Sequence, residues 1–519
     1  MANIGKNILD NLTTGMYLDS LVTFREYIQN ACDQIEKAVE AGIIDREDAL
    51  IDIFIDEKNR MISIEDNATG VSADSFISDL GDIANSGKEI GKDKGFRGIG
   101  RLCGLAYCRE LRFVTSYKGE DKASIMILDA KKMRNMLVEK QKYSVDEVWD
   151  AIVTYSTTNE DIEKHYFRVE MIDINRENTD LLDIKKVRNY LSFVAPVAYK
   201  QPFILKNKIY RYAQSIDYRM DEYRIEVNGA IIFKEYSTRL KEPSGNSQKN
   251  YDEICDIEFK EFYDHEGRML AWMWYGLSRF EKQIPPINAM RGIRLRSQNI
   301  QIGSDNTLQP LFKENRGIYY FIGEVFAVHP KLIPNSQRDY FNENEVRVEF
   351  EDNLRVYFYD VLHKIYNDAN RIKNAYKRQE EVIKITKEYA KKVRENGFVD
   401  ETEKQRAQIE VEKAKKAADD ARKQLNKYES NAMGDSPLAI VTRNISDKYK
   451  SEELIRKASE TKMPEVSENG KKKSYITDSM SKLSRNERKL VSKILSIITD
   501  NAPKDLATQI IEKIKDELK

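Results

Sequence analysis

Residues 23–35 read TFREYIQNACDQI, and the rest of the chain can be ordered around them. At about 100° per residue, a helix over this stretch has two stripes of side chains on nearly opposite sides. The first stripe is apolar and consists of Phe24, Ile28, Ala31 and Ile35. The second bears oxygens at i, i+4 and i+7 and consists of Glu26, Asn30 and Asp33. A carboxylate and a carboxamide one turn apart can take a proton from water and hold a hydrated Mg²⁺. The alternative is an ordinary amphipathic helix that shows its polar groups to solvent.

Length and composition limit the class of protein. A chain of 519 residues is too long for one core, so about three or four domains are expected. Its 85 Lys and Arg nearly balance 86 Asp and Glu, which gives no global basic field for nucleic acid and leaves local patches open. The four Cys and four His have no metal-ligand spacing. We find no signal peptide and no apolar run near about 18 residues, so we expect a soluble, cytoplasmic protein without a membrane segment.

A β-hairpin is predicted where isoleucines alternate with polar residues at 51–55 and again at 62–64, on either side of a polar turn. Its second strand ends at EDNATGV, residues 65–71. Asp66 is placed there to accept a hydrogen bond, for instance from an exocyclic amine, and Gly70 completes a tight loop. A plain Asp-Asn turn is the alternative.

Two glycine-containing motifs follow, LGDIANSGK at residues 80–88 and GFRGIGRLCGLA at residues 95–106. Glycines just before an apolar segment, which we expect to be helical, let the backbone approach a phosphate, and the helix N-terminus favours negative charge. The second run is neither a Walker A loop nor a Rossmann fingerprint. The polar stretch between the two motifs has the composition of a mobile lid.

The four motifs, in this order, resemble the nucleotide pocket of the GHKL ATPases, the gyrase B, heat-shock chaperone, histidine kinase and MutL type. The run LGxIAxSG is similar to the ninety-kilodalton heat-shock chaperone (HtpG-like) branch. The resemblance covers residues 1–185 and implies a GHKL (Bergerat) α/β sandwich. It also implies that ATP and Mg²⁺ are bound and that ATP is hydrolysed to ADP and phosphate.

The resemblance implies a role for each matched residue. Glu26 would be the general base that activates water, Asn30 the Mg²⁺ ligand, and Asp66 the acceptor of the adenine amino group. The other implied nucleotide-binding residues are Asp33, Gly70, Ser86, Gly95, Arg97, Gly98, Ile99 and Gly100. The pattern departs from the family in three places. Ala68 replaces a glycine, the lid is short at residues 89–94, and His165 stands where a Gly-Thr pair is usual, so no residue is named for the water-bridged adenine contact.

Residues 186–350 predict a second, transducer-like α/β domain, with strands near 223–227, 269–275, 292–302 and 317–328. Within it LIPNSQRDYF, residues 332–341, resembles the LPLNxSRE segment of the same chaperones, whose Arg contacts the terminal phosphate. The matched catalytic residue is Arg338, and Asn335 would shape the loop. The alternative is a surface Arg paired with Asp339. In GIRLR, residues 292–296, two arginines share one strand face; a phosphate contact is possible, and a solvated face is favoured.

The last third is rich in Lys, Glu, Ala and Arg. Residues 351–433 predict long helices, a stalk or an antiparallel coiled-coil hairpin broken near Asn396 and Gly397. Residues 434–519 predict a helical C-terminal region with a linker near 464–473. Its last helices, at 487–498 and 506–518, have apolar stripes that could form an assembly surface or pack on each other. This third does not resemble the chaperone family.

Taken together, the sequence predicts an ATPase that acts as a nucleotide-gated conformational clamp, chaperone-like on a protein client. We expect a homodimer that forms through the N-terminal domain when ATP binds. The alternative is a MORC- or MutL-like clamp on nucleic acid, in genome maintenance or anti-phage defence. A scaffold that binds nucleotide without hydrolysis is a third option, which an intact Glu26 disfavours.

Overall fold

The fold is that of a computed structural model, which describes residues 5–6, 9, 19–81, 100–394, 397–432, 434–459 and 483–518. The chain separates into two compact units, Met1–His363 and Lys364–Lys519. The finer domain boundaries at 185, 350 and 433 stay predictions. Within the described ranges, no helix is long and apolar enough to cross a membrane.

The first unit begins with α1 (Val22–Glu40), the hairpin β1 (Leu50–Asp56) and β2 (Met61–Asp66), and α2 (Ala73–Gly81). A 3₁₀ helix (Gly100–Ala106) leads into β3 (Cys108–Ser116), β4 (Lys122–Asp129), α3 (Ala130–Val138), α4 (Val145–Ile152), β5 (Val153–Asn159) and β6 (Tyr166–Ile174). Two helices, α5 (Ile184–Val194) and α6 (Lys206–Ser215), precede the short strands β7 (Arg224–Val227) and β8 (Ala230–Ile231).

These strands form one eight-stranded sheet in the order β5-β4-β3-β6-β2-β1-β7-β8. The predicted hairpin is confirmed, with Ile53 opposite Ile64 in an antiparallel register. β1 pairs in parallel with β7, so Ile53 also lies beside Val227. The strand near 223–227, which was predicted among the strands of the second domain, pairs with the first sheet instead and adds β7 beside β1.

Helices cover one face of this sheet, as predicted. The isoleucines of β1 alternate inward into the same core as the apolar stripe of α1, whereas Phe54, between them, is 47% exposed on the other face. This alternation is what a strand with one buried face requires. The α/β class predicted for the N-terminal region is therefore confirmed.

The second sheet of this unit follows in the chain. Its strands are β11 (Asp256–Tyr263), β12 (Met269–Leu277), β13 (Gly292–Ser297), β14 (Ile300–Ile302) and β15 (Ile322–Ala327), after a separate hairpin of β9 (Arg239–Ser244) and β10 (Ser247–Glu253). The order is β11-β12-β15-β13-β14. The strand predicted over 292–302 is a hairpin, because Gln298 and Asn299 turn the chain at φ 50° and 60°.

The two arginines of β13 are buried, so the prediction of a solvated strand face was wrong. Arg296 forms a buried ion pair with Glu324 of β15 and donates to the backbone oxygen of Phe193 at 2.7 Å. Lys234 lies 3.1 Å from the same carboxylate. Burial disfavours the charge on Glu324, but Arg296 and Lys234 hold its pKa at about 2. Two cations from different segments of the chain, Arg296 and Lys234, therefore share one acid, which is 28 residues away from Arg296.

The second unit is helical. α7 (Glu345–Tyr357) and a π-helical turn (Phe358–Leu362) end the first unit, and α8 (His363–Arg394), α9 (Glu401–Asn431), α10 (Pro437–Ser459), α11 (Arg485–Asn501) and α12 (Lys504–Glu517) follow. Tyr376 of α8 stacks on Tyr449 of α10 at 4.6 Å and donates to Ser446. The predicted interruption near Gly397 is confirmed between α8 and α9. Coiled-coil supercoiling stays a prediction, and the predicted linker at 464–473 lies outside the described residues.

The last two helices, α11 and α12, contact each other, which agrees with the prediction that they pack on each other. Leu495 of α11 is 1% exposed, whereas Ile497, two residues later, is 56% exposed. Leu495 lies outside the predicted apolar stripe, whereas its members Leu490, Ile494 and Ile497 are 60%, 43% and 56% exposed. The stripe of α11 is therefore largely uncovered in the described chain, and its use as an assembly surface stays a prediction.

Candidate functional site

The candidate site is built on α1, and its polar stripe is buried. The apolar stripe packs into the core as predicted, with Phe24 and Ile28 each 1% exposed. On the other side Glu26 is 8% and Asp33 is 4% exposed, and Asn30 is half-buried. The alternative of an ordinary amphipathic helix is therefore wrong, since such a helix would leave these carboxylates in water. Carboxylates are rarely buried without a partner or a task, and Glu26 has a partner in Arg25 at 3.2 Å.

Glu26 lies against the start of the 3₁₀ helix. A Cβ atom added to Gly100 would lie 2.6 Å from Glu26 Oε2, so a larger residue here would displace the Glu26 carboxylate. Tyr27 fixes the same contact, because its hydroxyl donates to the backbone oxygen of Arg101 and accepts from the amide of Gly104. Gly100 of the glycine-rich motif and the carboxylate of Glu26 thus lie against each other, and their roles in nucleotide binding stay predictions.

The predicted acceptor Asp66 ends β2 and is buried. Burial raises the pKa of its carboxyl group to about 8, although the amide of Ala68 donates to Oδ1 at 3.1 Å and opposes the shift. Ala68, which replaces a glycine of the family pattern, is itself buried, and its carbonyl contacts His165 Nδ1 at 2.7 Å. The turn therefore accommodates an alanine.

Gly70 closes the loop that follows. Its φ is +67°, and an added Cβ would lie 1.9 Å from the backbone oxygen of Ser116. The positive φ and the short distance to the Ser116 oxygen each favour glycine, and together they require it. The spacing from Asp66 to Gly70 thus has a steric reason, namely that the loop passes directly against the end of β3.

The loop at 332–341 reaches α1 from the second sheet. Arg338 is 6% exposed and donates from Nη1 to Gln29 Oε1 at 2.9 Å. Arg25 donates from Nη2 both to the backbone oxygen of Gln337, at 2.9 Å, and to Glu26 Oε1, at 3.2 Å. Arg338 therefore lies next to the helix that carries Glu26, and the alternative of a surface Arg is wrong.

Asn335 shapes this loop, as predicted. Its Oδ1 accepts from the amide of Asp339 at 3.2 Å, and its Nδ2 donates to the carboxylate of the same residue. The Asp339 carboxylate is thereby engaged within the loop. Arg338 itself has φ 51°, a conformation that L side chains rarely adopt.

The structure brings together Glu26, Gly100 and the Arg338 loop, and it puts Asp66 and Gly70 at the end of the neighbouring strand. Five predicted residues lie outside the described chain, as does most of the predicted lid: Ser86, Gly95, Arg97, Gly98 and Ile99. Sequence reasoning missed Arg25 and Gln29. Their only signal was position, since both lie within three residues of Glu26 on the same helix.

The residues present fit a magnesium–nucleotide ligand. Among the described residues no group of three or more His, Cys, Asp and Glu side chains could hold a metal by itself. Mg²⁺ usually takes one or two protein oxygens and completes its shell with water and phosphate, and Asn30 can supply such an oxygen.

Comparisons with known proteins agree with this geometry. The family described as histidine kinase-, DNA gyrase B-, and HSP90-like ATPase matches residues 22–161. Chaperone protein HtpG of Alkaliphilus metalliredigens is 25% identical over 279 residues, which cover 50% of this chain and 40% of that protein. HtpG of Clostridium acetobutylicum is 32% identical over 88 residues, 16% of this chain and 14% of that protein. HtpG of Clostridium botulinum strain 657 is 24% identical over 278 residues, 50% of this chain and 39% of that protein.

The matched segments thus span less than half the length of these relatives. The match to the family contains α1, the β1–β2 hairpin and strands β3 to β5, which are the elements that hold Glu26, Asp66 and Gly70. Residues 22–161 are therefore a GHKL ATPase domain, and over about half of its length the chain resembles the chaperone HtpG.

Proposed function

We propose that this chain binds Mg·ATP, hydrolyses it, and works as a nucleotide-gated clamp on a protein client. The observation that carries the proposal is the contact between the loop at 332–341 and α1. Arg338 bonds to Gln29 on α1, and Arg25 joins Glu26 to the same loop. A cation from the loop after the second sheet therefore bonds to the helix that carries Glu26, the carboxylate that would activate water.

In this proposal α1 supplies the chemistry. Glu26 accepts the proton of the attacking water, and Asn30 would hold the magnesium ion. The magnesium ion supplies charge neutralisation on the phosphate oxygens. Asp33 lines the ribose and phosphate side. Asp66 accepts the adenine amino group, which is a task that suits a buried carboxyl group at the end of a strand.

The proposed gating by nucleotide follows from the position of Arg338 on the loop at 332–341. A guanidinium stabilises phosphate charge only while its loop contacts α1, so the bound phosphate and the position of the loop are linked. Turnover should be slow if this closure limits it. We further propose that ATP promotes dimerisation through the N-terminal domain, and that the clamp closes on a protein.

The test is Mg²⁺-dependent ATP turnover together with mass by light scattering. Glu26→Ala should bind ATP, lose turnover and accumulate as a nucleotide-dependent dimer, and Arg338→Ala should lose turnover. Glu40→Ala at the exposed end of α1 and Arg211→Ala on exposed α6 are matched controls that should keep wild-type turnover. If the wild-type chain hydrolyses no ATP, and neither substitution changes nucleotide binding or mass, the proposal is wrong.

One observation favours nucleic acid as the second candidate target. Residues 364–519 contain 36 Lys and Arg against 27 Asp and Glu, a net charge of +9, and residues 1–363 contain 49 against 59, a net charge of −10. Three of these cations, Arg371, Arg378 and Lys427, line a cavity of about 670 Å³ among α8, α9 and α10. Such charge asymmetry is typical of chains with an anionic partner.

A mobility shift of plain duplex DNA that weakens steeply with added salt would favour this second candidate, because phosphate contacts release counterions. No shift at low salt would reject it. The ATPase proposal is tested separately, by the ATP turnover of the Glu26 and Arg338 variants.

A further inference from the structure

Gln29 occupies an unusual place in the site. It lies on α1 between Glu26 and Asn30, and it is 1% exposed. A side chain three residues after Glu26 shares its side of the helix. Gln29 also bonds to Arg338 across 309 residues of sequence, so it joins the two parts of the proposed site directly.

The orientation of the Gln29 amide is fixed by its partner. A guanidinium can only donate hydrogen bonds, so the amide oxygen must face Arg338, and the amide nitrogen must point elsewhere. That nitrogen, Nε2, is buried and has no hydrogen-bond partner within the described chain. Buried donors are nearly always satisfied in folded proteins, so an unsatisfied one beside a proposed active site indicates a missing acceptor.

We infer that Gln29 Nε2 donates to an oxygen of the terminal phosphate of bound ATP while Oε1 holds Arg338. This inference rests on the nucleotide site proposed above. Gln29 would then couple binding of the terminal phosphate to the position of the Arg338 loop. It is a positioning residue that no sequence motif identified.

The acceptor is the phosphate rather than the attacking water. A glutamine that orients a nucleophilic water accepts a hydrogen bond from it through its carbonyl oxygen, whereas the unsatisfied atom of Gln29 is its amide nitrogen, since the oxygen faces Arg338. The remaining N–H can only donate, and donation to the water would draw away the electron pair that attacks phosphorus. A phosphate oxygen carries negative charge and gains from the same bond.

The inference predicts discrimination between ATP and ADP, because ADP lacks the terminal phosphate. Gln29→Glu keeps an acceptor for Arg338 and replaces the donor with a negative charge. Gln29→Met has a similar length, is uncharged and removes the donor. Both should weaken binding of a non-hydrolysable ATP analogue by about 10- to 100-fold, the range for a hydrogen bond to a charged group, and should leave ADP affinity within about threefold.

The measurement is calorimetric titration of the full-length chain with Mg·ADP and with the Mg²⁺ complex of the ATP analogue. Gln34→Glu, the same change at a half-buried position on α1, is the matched control and should keep the wild-type ratio of the two affinities. If Gln29→Met keeps that ratio, Gln29 does not contact the terminal phosphate, and the ATPase proposal is unaffected. If the wild-type chain binds neither nucleotide, both the inference and the proposed function are overturned.

Discussion

Asp66 gives the sharpest test of the site, because its environment sets a measurable dependence of stability on pH. In the folded chain the pKa of Asp66 is raised by burial to about 8, against 3.8 for an ordinary aspartate. Between these two values the folded state holds a proton that the unfolded state has released. The free energy of unfolding therefore falls as pH rises from about 4 to about 8, and the contribution of this group is constant beyond those limits.

Asp66→Asn should abolish this contribution. Asparagine keeps an oxygen for the amide of Ala68 and has no charge to bury, so the variant follows the wild type at pH 4 and exceeds it at higher pH. Each pH unit is worth at most about 1.4 kcal/mol, so at pH 7 the variant should be more stable by up to roughly 4 kcal/mol. That is a large share of the stability of a typical domain, about 5–15 kcal/mol.

The assay is urea unfolding of both proteins at pH 5, 6, 7 and 8, with hydrogen exchange of the β1 and β2 amides to localise the change. Asp48→Asn, at an exposed carboxylate, is the control and should not alter the pH slope. Parallel curves for wild type and Asp66→Asn would refute the argument that burial holds this proton. The adenine amino group would donate to the carboxylate and should therefore favour its ionised form, so the nucleotide affinity of the wild type should rise with pH up to about 8. Asp66→Asn should bind the nucleotide more weakly than the wild type.

Three further predictions concern packing. Gly70 and Gly42 both have φ +67°, but only at Gly70 does a backbone oxygen lie where a Cβ would be, so Gly42→Ala should cost about 1 kcal/mol and Gly70→Ala clearly more in denaturant unfolding. Glu324→Gln leaves two buried cations without their acid and should destabilise the first unit by about 3–5 kcal/mol in the same measurement; a change below about 1 kcal/mol would contradict the buried network. On α11, Leu495→Ala should cost about 2–4 kcal/mol and Ile497→Ala less than about 0.5 kcal/mol by thermal unfolding, and equal losses would show that the exposed side chain is covered.

The parts that the sequence predicted well are those where burial follows a regular period. The apolar stripe of α1, the alternating isoleucines of β1 and the strand β6 belong to this group. β5, which reads VTYSTTN, was missed because it is an edge strand with almost every side chain exposed, so it has no apolar alternation to detect. The polar hairpin of β9 and β10 was missed for the same reason.

The site shows a similar limit. The resemblance of short motifs was enough to single out Glu26, Asp66 and Gly70, since each lies in a motif of consecutive residues on one element or loop. The partners of Arg296 and Gln29 could not be read from spacing, because they are set by the packing of distant segments. The sequence does not show whether water or a buried partner satisfies the hydrogen bonds of a charged or amide side chain. The burial of that side chain has to be known before its role can be inferred.

The parallel pairing of β1 with β7 has a consequence for synthesis and for fragments of this protein. The first sheet cannot be completed until residue 231 has left the ribosome, because β7 and β8 are its last strands. A fragment that ends at residue 185 would contain every matched nucleotide motif of the N-terminal domain but would leave β1 as an open edge. The backbone amides and carbonyls of Ile51 and Ile53, which face β7, would then be free to pair with another chain. Such a fragment should aggregate during expression, and one that continues through residue 231 should not.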